Sequence, residues 1–335
     1  MHSPTTPTPA VTTTDLLVVG AGPTGLFTAT YAGFRGLSVA LVDSLAEAGG
    51  QVAAMYPEKQ ILDVAGFPAV KGRELVDGLV RQAARANPTY LLQQQVSTLT
   101  YDDGGLPVVT TSTGATVRCK ALVLTAGIGS FAPRPLPAAA SYEDRGLAYF
   151  VPRLEDYRDR DVLIVGGGDS AVDWALNLEP IARSVTLVHR RKRFRAHAGS
   201  VDQLLASGVE VVTDAEVTAV RGESCVEAVD ITVKGEPAPR TLKCQRIVAA
   251  LGFTANLGPL LSWGLDVRGR QILVDTRMAT NLPRVYAAGD VTEYPGKVRL
   301  IAVGFGEAAT AVNNAAVEID PSAAVFPGHS TDLDA

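Results

Sequence analysis

Apolar residues in this chain gather into short unbroken runs. Asp15-Leu16-Leu17-Val18-Val19 is followed by Leu37 to Val42, and Asp161 to Val165 by Ser184 to Val188. Runs this short and this continuous mark strands buried on both faces, the usual state of a parallel sheet. Within the first pair lies Gly20-Ala21-Gly22-Pro23-Thr24-Gly25 and a helix-like stretch, Leu26 to Arg35. Within the second lies Gly166-Gly167-Gly168-Asp169-Ser170-Ala171, with a helix opening at Val172 to Leu178. The order strand, glycine turn, helix, strand therefore occurs twice, 146 residues apart. Leu300 to Ile319, rich in Ala and Gly, predicts a tightly packed helix near the end.

Each glycine has a physical task in such a unit. Gly20 permits the tight turn, Gly22 lets backbone N–H groups approach a pyrophosphate, and Gly25 allows the helix to pack closely on the strand. The helix N-terminus adds a positive dipole end for phosphates. Gly166 and Gly168 repeat the pattern, with Ser170 in the following helix and Asp169 expected to cap it. Asp43 lies 23 positions after Gly20, and His189 lies 23 positions after Gly166. The first unit thus ends in a carboxylate suited to ribose hydroxyls. The second ends in His189, Arg190 and Arg191, with Lys192, Arg193 and Arg195 beyond. A carboxylate repels a 2′-phosphate, whereas arginine grips one through charge-assisted bonds. The first unit is expected to bind FAD or NAD and the second NADP, unless the basic run is only a solvated face. The predicted fold class is α/β, with two Rossmann-like dinucleotide-binding domains.

Composition narrows the rest. At 335 residues the chain has length for about two domains, and 47% hydrophobic against 19% charged residues excludes a disordered protein. No apolar run approaches the roughly 20 residues of a membrane span. Residues 1–14 are Thr/Pro-rich, lack a secretory pattern and read as a flexible tail. A net charge of −5 argues against nucleic acid or anionic membranes as partners. A cytoplasmic location is expected. Cys119, Cys225 and Cys244 are too far apart for a CxxC pair or a zinc cage, and the four histidines show no metal spacing.

Longer stretches resemble the two-dinucleotide-domain flavoprotein reductases of the thioredoxin-reductase-like kind. Leu122 to Gly127 looks like the strand closing the first FAD lobe, Ile247 to Phe253 like its NADPH counterpart, and Val285 to Asp290 like the second FAD motif. Met55-Tyr56-Pro57-Glu58-Lys59, Asp63 to Pro68, Phe194 to His197, Gly304 to Ala308 and His329-Ser330-Thr331 are more specific. They are similar to the ferredoxin/flavodoxin–NADP⁺ reductases of that type. The absence of cysteine at Ala138 to Tyr142 and at Ser44 to Gln51 separates the chain from dithiol-relay reductases.

The resemblance implies a split FAD domain, 15–128 and 251–335, with an NADPH domain inserted at 129–250. It implies FAD contacts at Thr24, Asp43, Gln51, Tyr56, Val96, Phe131, Asp290 and Thr331. Tyr56 would stack on one flavin face and His329, on a C-terminal extension usually lent by the other subunit of a homodimer, on the other. It further implies hydride transfer from NADPH to flavin, then single-electron steps to ferredoxin or flavodoxin, with no acid–base residue needed. Lys59, Lys71 and Arg73 are candidates for docking an acidic carrier. The alternatives are an NADPH diaphorase serving quinones or free flavin, and a non-enzymatic redox sensor.

Overall fold

The structure, a computed structural model, describes residues 11–329. It divides into two compact units. Unit 1 comprises the residues up to Ala54, Lys59–Ser130 and those from Ala255 on; unit 2 comprises Met55–Glu58 and Phe131–Thr254.

The chain opens with β1 (Val11–Val19), α1 (Pro23–Phe34), β2 (Val39–Val42), the short α2 (Gly50–Met55) and α3 (Gly72–Ala83). Strands β3 (Thr89–Leu91), β4 (Val96–Tyr101), β5 (Pro107–Thr111) and β6 (Thr116–Leu124) complete the first stretch. Two positions differ from the sequence reading. Val11 to Thr14, expected within a flexible tail at 1–14, run on in β1, paired in parallel with Thr116 to Cys119. β-Branched threonines suit a strand even without an apolar run. Helix α1 starts three residues before Leu26, since Pro23 at its first position is pre-organised for a helix.

Unit 2 carries β7 (Leu147–Ala148), β8 (Asp161–Val165), α4 (Asp169–Leu178), β9 (Ser184–His189), α5 (Ala198–Ala206) and β10 (Glu210–Thr213). The antiparallel β11 (Ala215–Arg221), β12 (Ala228–Val233) and β13 (Arg240–Lys243) follow, and β14 (Arg246–Ala249) returns to the main sheet. That sheet is parallel, in the order β7-β14-β8-β9-β10. Apolar clusters cover it, one built on Leu163, Val165 and Val188, the other on Ile164, Trp174, Leu178 and Leu187.

Back in unit 1, β15 (Val285–Ala287) and α6 (Ile301–Ile319) finish the fold. The sheet order is β3-β2-β1-β6-β5-β4, with β15 also paired to β6. Strands β3, β2, β1, β6 and β15 are parallel, whereas β4 and β5 form an antiparallel meander on β6. Helix α6 buries Gly304, Ala308, Ala311, Val312 and Ala315, one stripe of small residues. Phe305 meets Phe27 of α1 with ring centroids 5.0 Å apart.

Register places the strand ends together. Val19 stands beside Val42 and Leu124, and Leu124 beside Ala287. The residues that follow, Gly20, Asp43, Thr125 and Ala288, therefore emerge along one carboxyl edge, where open α/β sheets take ligands. In unit 2, Val165 stands beside Val188 and Ala249 in the same way. Among the described residues no helix is long and apolar enough to cross a membrane.

Leu17 is fully buried and paired on both sides, to Ala40 and Leu122. Leu17→Ala should cost about 2–5 kcal/mol. It should appear as a lowered urea midpoint with an unchanged slope in the transition assigned to unit 1.

Candidate functional site

The first glycine turn leaves no space for a side chain at Gly20 or Gly25. Gly20 has φ +106°, and a Cβ there would lie 2.5 Å from the Thr125 carbonyl oxygen. A Cβ on Gly25 would come within 1.8 Å of the Gly20 carbonyl oxygen. Thr125 closes the same point, its hydroxyl donating to Gly20 O at 2.8 Å. Gly22 caps α1 without any side-chain hydrogen bond, and the first turn holds no acidic residue. The helix start is thus left for an anion. Gly50, at φ +56°, approaches so closely that a Cβ would meet Gly22 Cα at 2.8 Å.

Asp43 lies alongside. Its carboxylate accepts the Ala21 N–H at 2.6 Å and the Leu45 N–H at 2.9 Å. Burial raises its pKa from the ordinary value, and these backbone donors pull it back. Gln51 on α2 has its amide nitrogen 2.7 Å from the Cβ position of Gly127. Thr24 is held between two glycines, its hydroxyl oxygen 2.9 Å from the Cβ position of Gly289 and 2.5 Å from that of Gly304. Asp290 follows Gly289. Burial raises its carboxyl pKa, against the pull of Lys297 and Arg299. Among the described residues its carboxylate accepts no hydrogen bond, so it has acceptor capacity for a ligand hydroxyl.

Gly20, Gly22, Thr24, Gly25, Asp43, Gln51 and Asp290 are therefore brought to one sheet edge. Val96 is a buried member of the unit 1 core. Two other expected FAD residues fall elsewhere. Tyr56 clusters with unit 2, packing on a core that contains Trp174 and Tyr157, although the range 15–128 would have kept it in the first domain. Phe131 also falls in unit 2, edge-on to Phe150 and Phe253 at 6.4 Å each. His329 is exposed, with its ring edge-on to Phe326 at 5.2 Å. Thr331 lies outside the described residues.

In unit 2, Gly168 caps α4, again with no side-chain hydrogen bond. This corrects the capping role expected for Asp169, which is the first residue inside the helix. Its Oδ1 instead accepts the His197 N–H at 2.9 Å, at the start of α5. The N-cap position, from which a side chain accepts the N2 or N3 N–H, is held by a glycine with no side chain to offer. Ser170 is exposed in the first turn.

The basic segment is tied to the turn by its backbone, since Arg195 N–H donates to Gly167 O at 2.7 Å. His189 is buried under the turn, its ring 2.2 Å from the Cβ position of Gly167 and stacked on Phe194 at 5.2 Å. Burial lowers its pKa most, and Arg190, Arg191 and Arg195 add to the effect. The imidazole is therefore neutral at pH 7 and serves as a wedge, while the charge sits on the exposed arginines. Among the described residues no carboxylate lies within ion-pair distance of Arg190, Arg191, Arg193 or Arg195; only Lys192 faces one, Asp214 at 4.0 Å.

Two features escaped the sequence reading. Glu307 is buried in α6 and accepts the Gly289 N–H at 2.7 Å; a lone charge within an apolar helix was the available signal. Arg35, after α1, donates to Ala324 O at 2.8 Å, Val325 O at 3.4 Å and Asn313 Oδ1 at 3.1 Å, holding the segment after α6. No signal local in sequence pointed to that contact. The three cysteines are all free. Burial pushes the Cys119 and Cys244 thiols up to about 12, which leaves them inert.

Known proteins resemble this arrangement closely. Residues 14–315 match the family model described as pyridine nucleotide-disulphide oxidoreductase. A ferredoxin–NADP reductase from Nocardioides sp. is 65% identical over 97% of this chain and 99% of that protein. One from Frankia alni is 61% identical over 94% of this chain and 98% of its own length. One from Halalkalibacterium halodurans is 50% identical over 95% and 97%. Among solved structures, the thioredoxin reductase of T. acidophilum superposes with a TM-score of 0.74 at 23% identity, over 93% of this chain and 99% of that one. That of Lactococcus lactis gives 0.73 at 23% identity, over 91% and 99%. These two share the fold.

The lowered His189 pKa has a consequence for stability. Between its folded value and the unfolded value of about 6.5, the unfolded chain binds the extra proton, so stability falls as pH drops through that window. His189→Phe should flatten this part of the pH–stability curve, measured by urea unfolding from pH 7.5 to 5. An unchanged curve would contradict the burial argument.

Proposed function

Because this chain belongs to the pyridine nucleotide-disulphide oxidoreductases, and within them to the family of the ferredoxin–NADP reductases, we propose that it moves electrons between NADPH and ferredoxin or flavodoxin through FAD. It is an oxidoreductase, with FAD and NADPH as cofactors. The observation that carries the finer reading is the contrast between two uncapped glycine turns. One ends in the Asp43 carboxylate, the other in arginines with no carboxylate in ion-pair distance among the described residues.

The residues of unit 1 fit FAD. The turn from Gly20 to Gly25 and the approach of Gly50 to Gly22 make a cradle that a Cβ on Gly20, Gly25 or Gly50 would fill. We assign Asp43 to ribose hydroxyls and Asp290 to a polyol hydroxyl. The start of α6 has neither an acidic first turn nor a side-chain cap, so it favours negative charge nearby. Bound FAD supplies what no side chain here offers, exchange of electrons in pairs with a nicotinamide and singly with a carrier. The chain's part is to position, to shield from water and to compensate charge.

In unit 2, Arg190, Arg191 and Arg195 are proposed to hold the 2′-phosphate of NADPH, with the open start of α4 left for its pyrophosphate, while His189 keeps the turn in shape. Three free cysteines, two of them inert, favour direct transfer from flavin to carrier without a dithiol relay. We assign carrier docking to Lys59, Lys71 and Arg73, which a hairpin gathers by pairing Gln60 with Lys71 and Gly72 N–H with Lys59 O. We assign His329 to the flavin face in a homodimer. The exposed Val325 and Phe326 beside it support that assignment.

NADPH-driven cytochrome c reduction, with and without ferredoxin, tests this reading. Strong dependence on ferredoxin is expected, and ferredoxin-independent turnover would favour a diaphorase. Arg190→Ser with Arg191→Ser should lower kcat/KM for NADPH about 10²- to 10⁴-fold and leave NADH nearly unchanged, since each charge-assisted bond is worth roughly 1.5–3 kcal/mol. Equal losses with both nucleotides would overturn the phosphate assignment.

A further inference from the structure

From Ile301 to Val317, Glu307 is the only charged residue. It is 5% exposed, and the Lys297 side chain 1%. Their ion pair closes at 2.5 Å. The same Glu307 oxygen accepts the Tyr294 hydroxyl at 2.5 Å, and the other accepts the Gly289 N–H at 2.7 Å. Thr292 completes the loop by donating its hydroxyl to Gly289 O at 2.7 Å. Burial, then the bond to Glu307, pushes the Tyr294 hydroxyl up to about 12, so it stays a donor. The Lys297 ammonium also lies 5.5 Å over the Tyr294 ring.

A buried ion pair is a poor device for stability, because well-packed apolar residues of the same volume usually do as well or better. Desolvating two charges here needs another account, and the location supplies it. Glu307 grips the backbone immediately before Asp290, the carboxylate whose acceptor capacity is unused. The pair's field reaches that carboxylate, with Lys297 lowering its pKa and Glu307 raising it. Gly289 and Gly304, on either side of this grip, are the two glycines that enclose Thr24.

We propose that Glu307 and Lys297 are positioning residues for the redox centre: Glu307 fixes the Gly289–Asp290 turn against α6, and the compensated charges set how readily bound flavin is reduced. This rests on the FAD reading above. Neither residue is asked to touch substrate. Each acts through the turn and through its charge.

The test is an anaerobic, dye-equilibrated redox titration of the purified holoprotein and of E307Q, K297M and the double variant. FAD retention on gel filtration and thermal melting are measured alongside. E307Q exposes the ammonium, so the reduced-to-oxidised flavin ratio at fixed poise should rise about tenfold. K297M exposes the carboxylate, and the ratio should fall about tenfold. The double variant should return to within about threefold of the wild type, since compensation is restored. A merely structural role would move both single variants in one direction or neither, and either result overturns the proposal. If E307Q does not fold, K297M still decides by its sign. Wild-type protein that neither carries nor takes up FAD overturns the cofactor reading itself. A flavoprotein indifferent to both charges overturns only the charge pair.

Discussion

The rest of unit 1 depends on a contact too close for a methyl group. Where β1 ends, Gly25 of α1 rests on the Gly20 carbonyl, and the Thr125 hydroxyl bonds to that carbonyl and to Val19 O. The end of β1, the start of α1 and Thr125, 105 residues beyond Gly20, meet within a single van der Waals layer. This close approach aims the start of α1 along the sheet edge and puts Ala21 within reach of Asp43. Unit 2 relaxes the constraint. Ala171 occupies the position equivalent to Gly25, and its methyl fits, fully buried, 3.0 Å from the Cβ position of Gly166. The two turns share a plan but not a tolerance.

Charge then separates two sites that the backbone makes alike. Asp43 and Asp290 are carboxylates whose burial works against their ionisation. In unit 2 the position equivalent to Asp43 is filled by a neutral, buried imidazole, and the cations stand exposed around it. On the proposed assignment, the nucleotide preference of each unit would be written mainly in one short segment after its second strand, on a common scaffold.

Much of this was legible in the chain. Strands β8 and β9 are buried along nearly their whole length, so they show as continuous apolar runs and their limits follow closely. The equal spacing from Gly20 to Asp43 and from Gly166 to His189 follows from equal helix crossovers. Less legible were features decided by partners remote in sequence. The threonines of β1 join the sheet only because Thr116 to Cys119 wait beside them. His189 carried the appearance of a phosphate ligand, yet space beneath Gly167 turns it inward. Met55–Glu58 group with unit 2 through packing that no local pattern encodes. Asp169 sat one residue from a capping position, a difference finer than periodicity can resolve.

Arg35 holds the segment after α6 by the carbonyls of Ala324 and Val325, and by nothing particular to their side chains. Attachment and chemistry are therefore separate traits there. Substitutions at the exposed Val325, Phe326 and His329 can change what the tail offers a neighbour or a ring without loosening its anchor. A change at Arg35 removes both of these backbone anchors at once. Divergence should accordingly accumulate in the tail's surface before it touches the arginine that fastens it.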